Sequence, residues 1–525
     1  MLLRSTVHIL VHIFQAAPDL RQPQSNRTTY NGIELLNRIV FPVRLVTALG
    51  SIFVDLFILF ASAYLRHPYS RGRRCFLSKS PPIALILYAS ATFGGLLFSG
   101  RTLANTWETI AVALFGLLFL GVMNRSQPMQ SEASTINLVS VSLLLCMQAA
   151  LSGWAIFLRF TYVVFVFPMV IIEVYSVLRK FRSSILIPSA LCFLIMALTV
   201  HFCLLMDSAY FTGLDFLTLS TRFPVNDLIC VPCRFFLYNS DSNSIAKHGL
   251  HPRFLHLLVN LPLMFGPAVP LLAFCAPLML PSPICLTYWC SFVVPLALLS
   301  VVSHQETRFL LPLIPFVVLL SGCCLEVPNE STRTNFIYIV RKSKFGTLFI
   351  LCWFVQQLFL LILFNNLHQG GLVSYYKSLP LHTRDLSDCP VHVFYHTYMP
   401  PRFPLGYLTQ QTNFSDASNM CRTVIDLKGS SESELQHVLL QLRNRTEPCM
   451  KCRVVNLIYP GSLSPLNLDF DQFGSVITTK LFFGHLSFED LPRFLLNVKN
   501  GKAMFADHIN YWYSQLSLHV VTIGI

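Results

Sequence analysis

The chain has 525 residues, of which 54% are hydrophobic, 13% aromatic and only 12% charged, with a net charge of +13. A soluble globular domain carries about 25% charged residues, so this composition excludes one and describes an integral membrane protein. The positive charge calls for no nucleic acid, because it gathers in short loops between apolar segments.

Apolar stretches of roughly the 17–25 residues needed to cross a bilayer run near 39–65, 80–100, 105–123, 136–156, 157–178, 184–206, 255–280, 284–303, 309–325 and 345–364. These about ten spans predict a polytopic α-helical membrane protein. Residues 1–38 form an N-terminal segment, 39–364 the multispan domain with a long polar loop at 207–254, and 365–525 a C-terminal domain. Pro and Gly inside spans, as in NLPLMFGPAVPLL, are compatible with membrane helices whose neighbours re-satisfy the freed backbone groups. Beyond about residue 365 short apolar runs alternate with Pro, Asn, Asp and Gly turns, which predicts a small α/β domain.

Lys and Arg in short loops stay cytosolic. Arg66, Arg71, Arg73, Arg74 and Lys79 fill one such loop, Arg179, Lys180 and Arg182 another, and Arg333, Arg341, Lys342 and Lys344 a third. Alternating the spans puts all three on one side, with residues 1–38, the loop 207–254 and the tail on the other. The sequons at Asn26, Asn413 and Asn444 fall on that second face; those at Asn124 and Asn329 fall on the cytosolic one. Cys230, Cys233, Cys389, Cys421, Cys449 and Cys452 lie on the same oxidising side. Disulfides account for them better than zinc, which lacks His partners at its usual spacing, and the pairing is open.

Charges held at membrane depth cost on the order of 2.5–3.5 kcal/mol each, so they mark sites. Arg101 and Glu108 in SGRTLANTWETI, Arg159 in FLRFTY, Asp207 in LLMDSAYF and the run SHQETRF at 303–309 all fall at turns on the non-cytosolic face. This one-sided clustering predicts a shared pocket there, the plainer alternative for Arg101 and Arg159 being interface anchors. A transporter or scramblase is a rival class, but no internal repeat appears and the polar residues crowd one surface rather than the midplane.

HQETRF followed by LLPLIP resembles the HKExRF signature of the dolichol-phosphate-mannose-dependent mannosyltransferases of the endoplasmic reticulum, glycosyltransferase family 22. GRTLANTWE is similar to the family's R-T-x-S-N-x-x-E segment and MDSAYF to its D-S-x-Y-F segment. LYNSDSNSIAKHGLHPRFLHLLVNLP, LHQGGLV at 367–373, HTYMPPR at 396–402 and LSLHVV at 516–521 resemble the branch that adds the fourth mannose to glycosylphosphatidylinositol (GPI). The matches run in order from about residue 95 to the end.

The resemblance implies a GT-C fold with its C-terminal domain and its active face in the lumen of the endoplasmic reticulum. It also implies transfer of mannose, with inversion to an α-1,2 linkage, from dolichol-phosphate-mannose to the third mannose of the GPI precursor. Cations must then hold the departing phosphate and a carboxylate must take the acceptor proton. Arg308 is the first candidate for the phosphate, with His304 as second donor, because a guanidinium fork fits phosphate oxygens. Arg101, Arg159, His251 and Arg253 are further donor or substrate contacts, and Tyr210 either packs on a sugar or is an aromatic-belt residue. Glu306 serves to orient Arg308 or to grip an acceptor hydroxyl, unless the two are simply an ion pair bracing the turn. The family's base is expected in an H-P-D-E segment, which this sequence lacks. HIFQ at 12–15 resembles that region with the PDE step lost, so the segment 1–38 is expected to be truncated, or the chain to be a non-catalytic scaffold. Asp207 and, less aptly, Asp19 are the carboxylates left for the role. No metal or other cofactor is expected, as no His cluster is present, and no cleavable signal peptide is evident.

Overall fold

The computed structural model describes residues 32–66, 83–91, 104–126, 135–213, 219, 228–241, 251–279, 283–326, 344–378, 391–397, 424–444, 454–464, 466, 468–487 and 505–524. The chain divides into two units, centred on Pro42–Leu358 and Phe359–Ile525.

The first unit is helical. Helices α1 (Gly32–Arg66), α2 (Ile83–Ser90), α3 (Ala104–Arg125), α4 (Thr135–Leu158), α5 (Tyr162–Phe181) and α6 (Leu186–Thr212) precede α7 (Val231–Ser240), which lies in the long polar loop. A π-helical turn His256–Asn260 leads into α8 (Leu261–Phe265) and α9 (Ala268–Met279). Then follow α10 (Pro283–Val301), a 3-10 turn Thr307–Leu313 continuing as α11 (Ile314–Glu326), and α12 (Phe345–Ile362). Among the described residues seven helical segments are long and apolar enough to cross a membrane: Leu45–Leu65, Ala104–Arg125, Asn137–Leu158, Tyr162–Phe181, Leu186–Thr212, Pro283–Val301 and Thr307–Leu325. Of the other three expected spans, 80–100 is described as the short α2 and 345–364 as the shorter apolar helix Gly346–Ile362.

The stretch 255–280 is no straight span: His256–Phe265 and Ala268–Phe274 meet at 110°. Gly266 turns the chain there with φ +38°, a region that side chains avoid, and Pro267 follows it. The carbonyls freed at the break find glutamines from α12. Gln356 Nε2 donates to Leu263 O at 2.8 Å and Pro262 O at 3.2 Å, and Gln357 Nε2 to Met264 O at 3.1 Å. A Cβ on residue 266 would collide with the Gln356 side chain.

Burial sorts the helices. The α3 segment and Thr307–Leu325 are mostly buried, whereas α6 exposes Ile187, Phe193 and Leu198 along its length and suits a lipid-facing position. Four rings from α1, α3, α10 and α11 form the centre: Phe57 packs edge-on against Tyr288 at 5.9 Å and Phe316 at 6.2 Å, and Phe119 meets Tyr288 at 6.5 Å. Glu108 and the run SHQETRF thus hang from the two innermost segments. Cys230 and Cys233 form a disulfide at the N-terminus of α7, which replaces the zinc alternative for this pair. The tail cysteines lie outside the described residues.

The second unit is α/β, as its turn pattern predicts. Its elements are α13 (Gly370–Ser378), β1 (Val391–Phe394), β2 (Val424–Asp426), α14 (Glu432–Arg443), β3 (Val454–Pro460), β4 (Ser475–Phe483), α15 (Phe505–Gln515) and β5 (Ser517–Gly524). The sheet order is β2-β1-β3-β5-β4, parallel across β2-β1-β3 and antiparallel from β3 through β5 to β4. Strand alternation loads both faces: Val393, Leu457 and Val521 pack with Leu435, Leu439 and Leu442 of α14, while Phe394, Ile458 and Val520 pack with Leu372 and Tyr375 of α13. Helix α14 starts on an N-cap Ser431 whose hydroxyl accepts from Glu434 N, and its leucines recur at helical spacing. Each such buried leucine stabilises by roughly 2 kcal/mol.

Among the described residues three histidines are buried in this unit, His392, His485 and His519. Burial holds His392 down to about 4, and burial with the charges of His368 and His519 holds His485 down to about 3. The ordinary value is 6.5 in both cases, so below it the unfolded chain binds protons that the folded unit refuses. Stability is unaffected above that value and falls with acidification, down to about 4 for His392 and about 3 for His485, by about 1.4 kcal/mol per histidine per pH unit. Hydrogen exchange of the intact protein, corrected for intrinsic rates, should show β1 and residues 484–487 losing protection between neutral pH and about pH 5; unchanged protection would count against both assignments.

Candidate active site

The run SHQETRF spans the hairpin after α10 and the first residues of the 3-10 turn, and Gln305 is its pivot. Its side chain is buried at 2% exposure. Its Nε2 donates to Ser300 O (2.9 Å), Val302 O (3.0 Å) and Arg253 O (3.1 Å), and its Oε1 accepts from His256 N (2.7 Å). Carbonyls near the end of α10 and an N–H at the start of the bent span are otherwise orphan groups; one amide satisfies both sets. His251 N donates to Ser303 O at 2.8 Å, and Gln305 N to His251 Nδ1 at 3.3 Å. Thr307 Oγ1 donates to Asn260 Oδ1 at 3.1 Å, while Asn260 Nδ2 meets His256 Nδ1 at 3.0 Å. The segments 251–260 and 300–307 are therefore laced together.

With Gln305 turned inward, its neighbours carry the charge. Glu306 Oε1 accepts from His304 Nε2 at 2.9 Å and Arg308 Nη2 at 2.7 Å, and Oε2 pairs with Arg308 Nε. This is the bidentate fork of a guanidinium on a carboxylate. Burial alone would raise the Glu306 carboxyl, but the hydrogen bond from His304 and the charge and hydrogen bond of Arg308 outweigh it and hold it below the usual range. Glu306 is therefore a weak base and a good orienting group.

A second pair approaches from α3 and the α4–α5 turn. Arg159 Nε lies 3.0 Å from Glu108 Oε2, and Thr161 Oγ1 donates to Glu108 Oε1 at 2.5 Å. Glu108 is buried at 1% exposure, so losing Arg159 would strand a carboxylate away from water. Phe309 joins the two pairs: the Arg159 guanidinium sits 5.3 Å and that of Arg308 6.0 Å from its ring centroid, with the His304 ring at 5.7 Å. Each arginine is thus anchored through Nε by its own carboxylate, and no hydrogen bond claims Nη1 of Arg308 or either terminal nitrogen of Arg159 among the described residues. Two fixed cations with open forks beside one ring can hold an anion.

The other expected residues are placed as follows. His251 belongs to the cluster, its ring 5.7 Å from that of His304. Arg253 contributes its carbonyl to Gln305, and its side chain is exposed. Asp207 is buried in α6 with Oδ2 unpartnered, and no hydrogen bond or ion pair joins it to the Glu306 cluster. Tyr210 is 46% exposed, against Phe211. Arg101, Asp19 and the HIFQ segment lie outside the described residues. The pairing of Arg159 with Glu108 and Thr161, and the bridging by Phe309, escaped the sequence reading; the RF of SHQETRF was the signal for the ring, while nothing local pairs residues 108 and 159. Among the described residues no group of three or more His, Cys, Asp or Glu side chains is arranged to hold a metal.

The chain is similar to several known proteins. The crystal structure of ArnT from Cupriavidus metallidurans aligns over 94% of this chain and 85% of that one, with 12% identity and a TM-score of 0.44. "GPI mannosyltransferase 4" of Candida albicans is 27% identical over 426 residues, 79% of this chain and 75% of that protein. "GPI alpha-1,2-mannosyltransferase 4" of Homo sapiens is 29% identical over 360 residues, 61% of this chain and 54% of that protein. "GPI mannosyltransferase 4" of Saccharomyces cerevisiae is 29% identical over 269 residues, so that about half of each chain is matched. Residues 2–402 match the description of the Alg9-like mannosyltransferases. With well over half of its length so matched, this polytopic helical protein belongs to the Alg9-like mannosyltransferase family.

Proposed function

We propose that the chain transfers a fourth, α-1,2-linked mannose from dolichol-phosphate-mannose to the third mannose of the GPI precursor, at the lumenal face of the endoplasmic reticulum membrane. The observation that carries this reading is the pair of carboxylate-anchored arginines, Arg308 on Glu306 and Arg159 on Glu108, flanking Phe309 in a chain of this family. An acceptor hydroxyl attacks the anomeric carbon, the bond to dolichyl phosphate breaks, and the arginines with His304 take up the charge gathering on the leaving phosphate. Because both guanidiniums are held before substrate arrives, little reorganisation is needed as that charge develops. Glu306 orients Arg308 in this scheme. The acceptor proton goes to another carboxylate, and Asp207, buried with one oxygen unpartnered, is the proposed acceptor among the described residues. The names of the curated relatives support the choice of mannose donor chemistry and GPI acceptor.

The test is expression in cells lacking the fourth GPI mannosyltransferase, with mass spectrometry of the GPI precursors. Precursors carrying a fourth mannose should return. A chain inserted at the level of the resident enzyme that restores none would overturn the proposal.

A further inference from the structure

Strand β4 is one of the two edges of the sheet, and its side chains are exposed along almost its whole length. Val476, Ile477 and Phe483 on it are 44%, 55% and 52% exposed. At its end the Phe483 ring lies flat on Tyr513 of α15, centroids 5.1 Å apart and planes within 3°. Trp512 is the next residue, and it and Tyr513 are exposed as well. A Trp, a Tyr and a Phe gathered at one exposed corner have the composition of a bilayer interface, where the rings sit among acyl chains and the N–H and O–H tips stay wet.

The backbone says where this corner lies. Leu516 N donates to Trp512 O at 2.9 Å, and Leu516 O accepts from Gly484 N at 3.1 Å and His485 N at 2.8 Å. Leu486 N then donates to Leu367 O at 2.7 Å, and Gln369 N to Leu486 O at 3.2 Å. Leu367 closes the π-helical turn Leu363–Leu367 that prolongs α12, whose last residues Phe359–Ile362 belong to this same unit. The aromatic corner is thus tied through one short ladder of hydrogen bonds to the point where an apolar helix ends. Such helices end at the headgroup layer, about 5–7 Å deep on each side of the hydrocarbon, which is the depth that suits these rings.

We propose that Phe483, Trp512 and Tyr513 form a membrane-surface contact that rests the C-terminal domain on the headgroup layer of the bilayer that α12 enters. The exposed Lys480 on the same strand favours lipid over another protein's strand, since a charge on an open edge discourages strand pairing and suits anionic headgroups.

The test uses the full chain in lipid nanodiscs containing phosphatidylcholine and phosphatidylinositol. Subtracting the emission of Trp512→Phe from that of the unmodified protein isolates the Trp512 signal. Lipids with a nitroxide at the top of the acyl chain should quench most of that signal, and aqueous iodide little of it. Tyr513→Trp made in the Trp512→Phe background should report the same pattern from the neighbouring position. Quenching by iodide and not by the lipid would place the corner in water, and shielding from both quenchers would mean protein covers it; either result overturns the proposal.

Discussion

Arg308→Ala is expected to lower mannose transfer by roughly 10²–10³-fold, the loss that follows removal of one preorganised group facing developing charge, with insertion and folding unchanged. The Arg308 side chain is 45% exposed and its partner Glu306 31%, so the ion pair itself contributes at most about 1 kcal/mol to stability. A bracing role and a phosphate role separate in the double variant. If Arg308 only neutralises Glu306, then Glu306→Gln removes the half-buried charge that Arg308→Ala leaves unpaired, and Arg308→Ala with Glu306→Gln should regain activity. If the open Nη1 of Arg308 holds phosphate, the double variant stays as inactive as Arg308→Ala, while Glu306→Gln alone loses less because a neutral amide still orients the fork. Radiolabelled mannose transfer by the three purified variants decides; recovery in the double variant would remove Arg308 from the phosphate role.

Much of this organisation was legible in the residues because the signals are local. Hydropathy marks each apolar stretch, and every one of the ten expected spans contains helix among the described residues. HQETRF with LLPLIP carries the family, and short apolar runs broken by turn residues carry the α/β tail. What escaped is non-local. The bend at Gly266 depends on Gln356 and Gln357 reaching the freed carbonyls from a helix some ninety residues away, and a Pro/Gly-containing span reads the same whether or not such partners exist. Glu108 and Arg159 are likewise joined only by the packing of α3 against the α4–α5 turn. The sequence groups the charged turns on one face without saying which of them touch: no hydrogen bond or ion pair joins Asp207 to the Glu306 cluster, because a common membrane face fixes depth and not contact.

Gln305→Leu is expected to damage the protein more than any other uncharged replacement in the hairpin. The leucine fills similar space but strands Ser300 O, Val302 O and Arg253 O and the N–H of His256. Each buried group so orphaned costs about 1–3 kcal/mol, and water enters to satisfy them only by loosening the contact between segments 251–260 and 300–307. The thermal midpoint in detergent should fall, and transfer should fall further than the residual folded fraction, because Glu306 and Arg308 follow Gln305 directly and a displacement of about 1 Å is enough to cost about a hundredfold in rate. Gln305→Glu distinguishes the donor from the filler. It keeps the length and shape and an acceptor for His256 N, yet turns the other oxygen toward three carbonyl oxygens, so it should be nearly as harmful as leucine. Gln305→Glu behaving like the unmodified protein while Gln305→Leu does not would show that the His256 bond alone holds the turn; a normal midpoint and normal transfer in Gln305→Leu would mean that the hairpin needs neither.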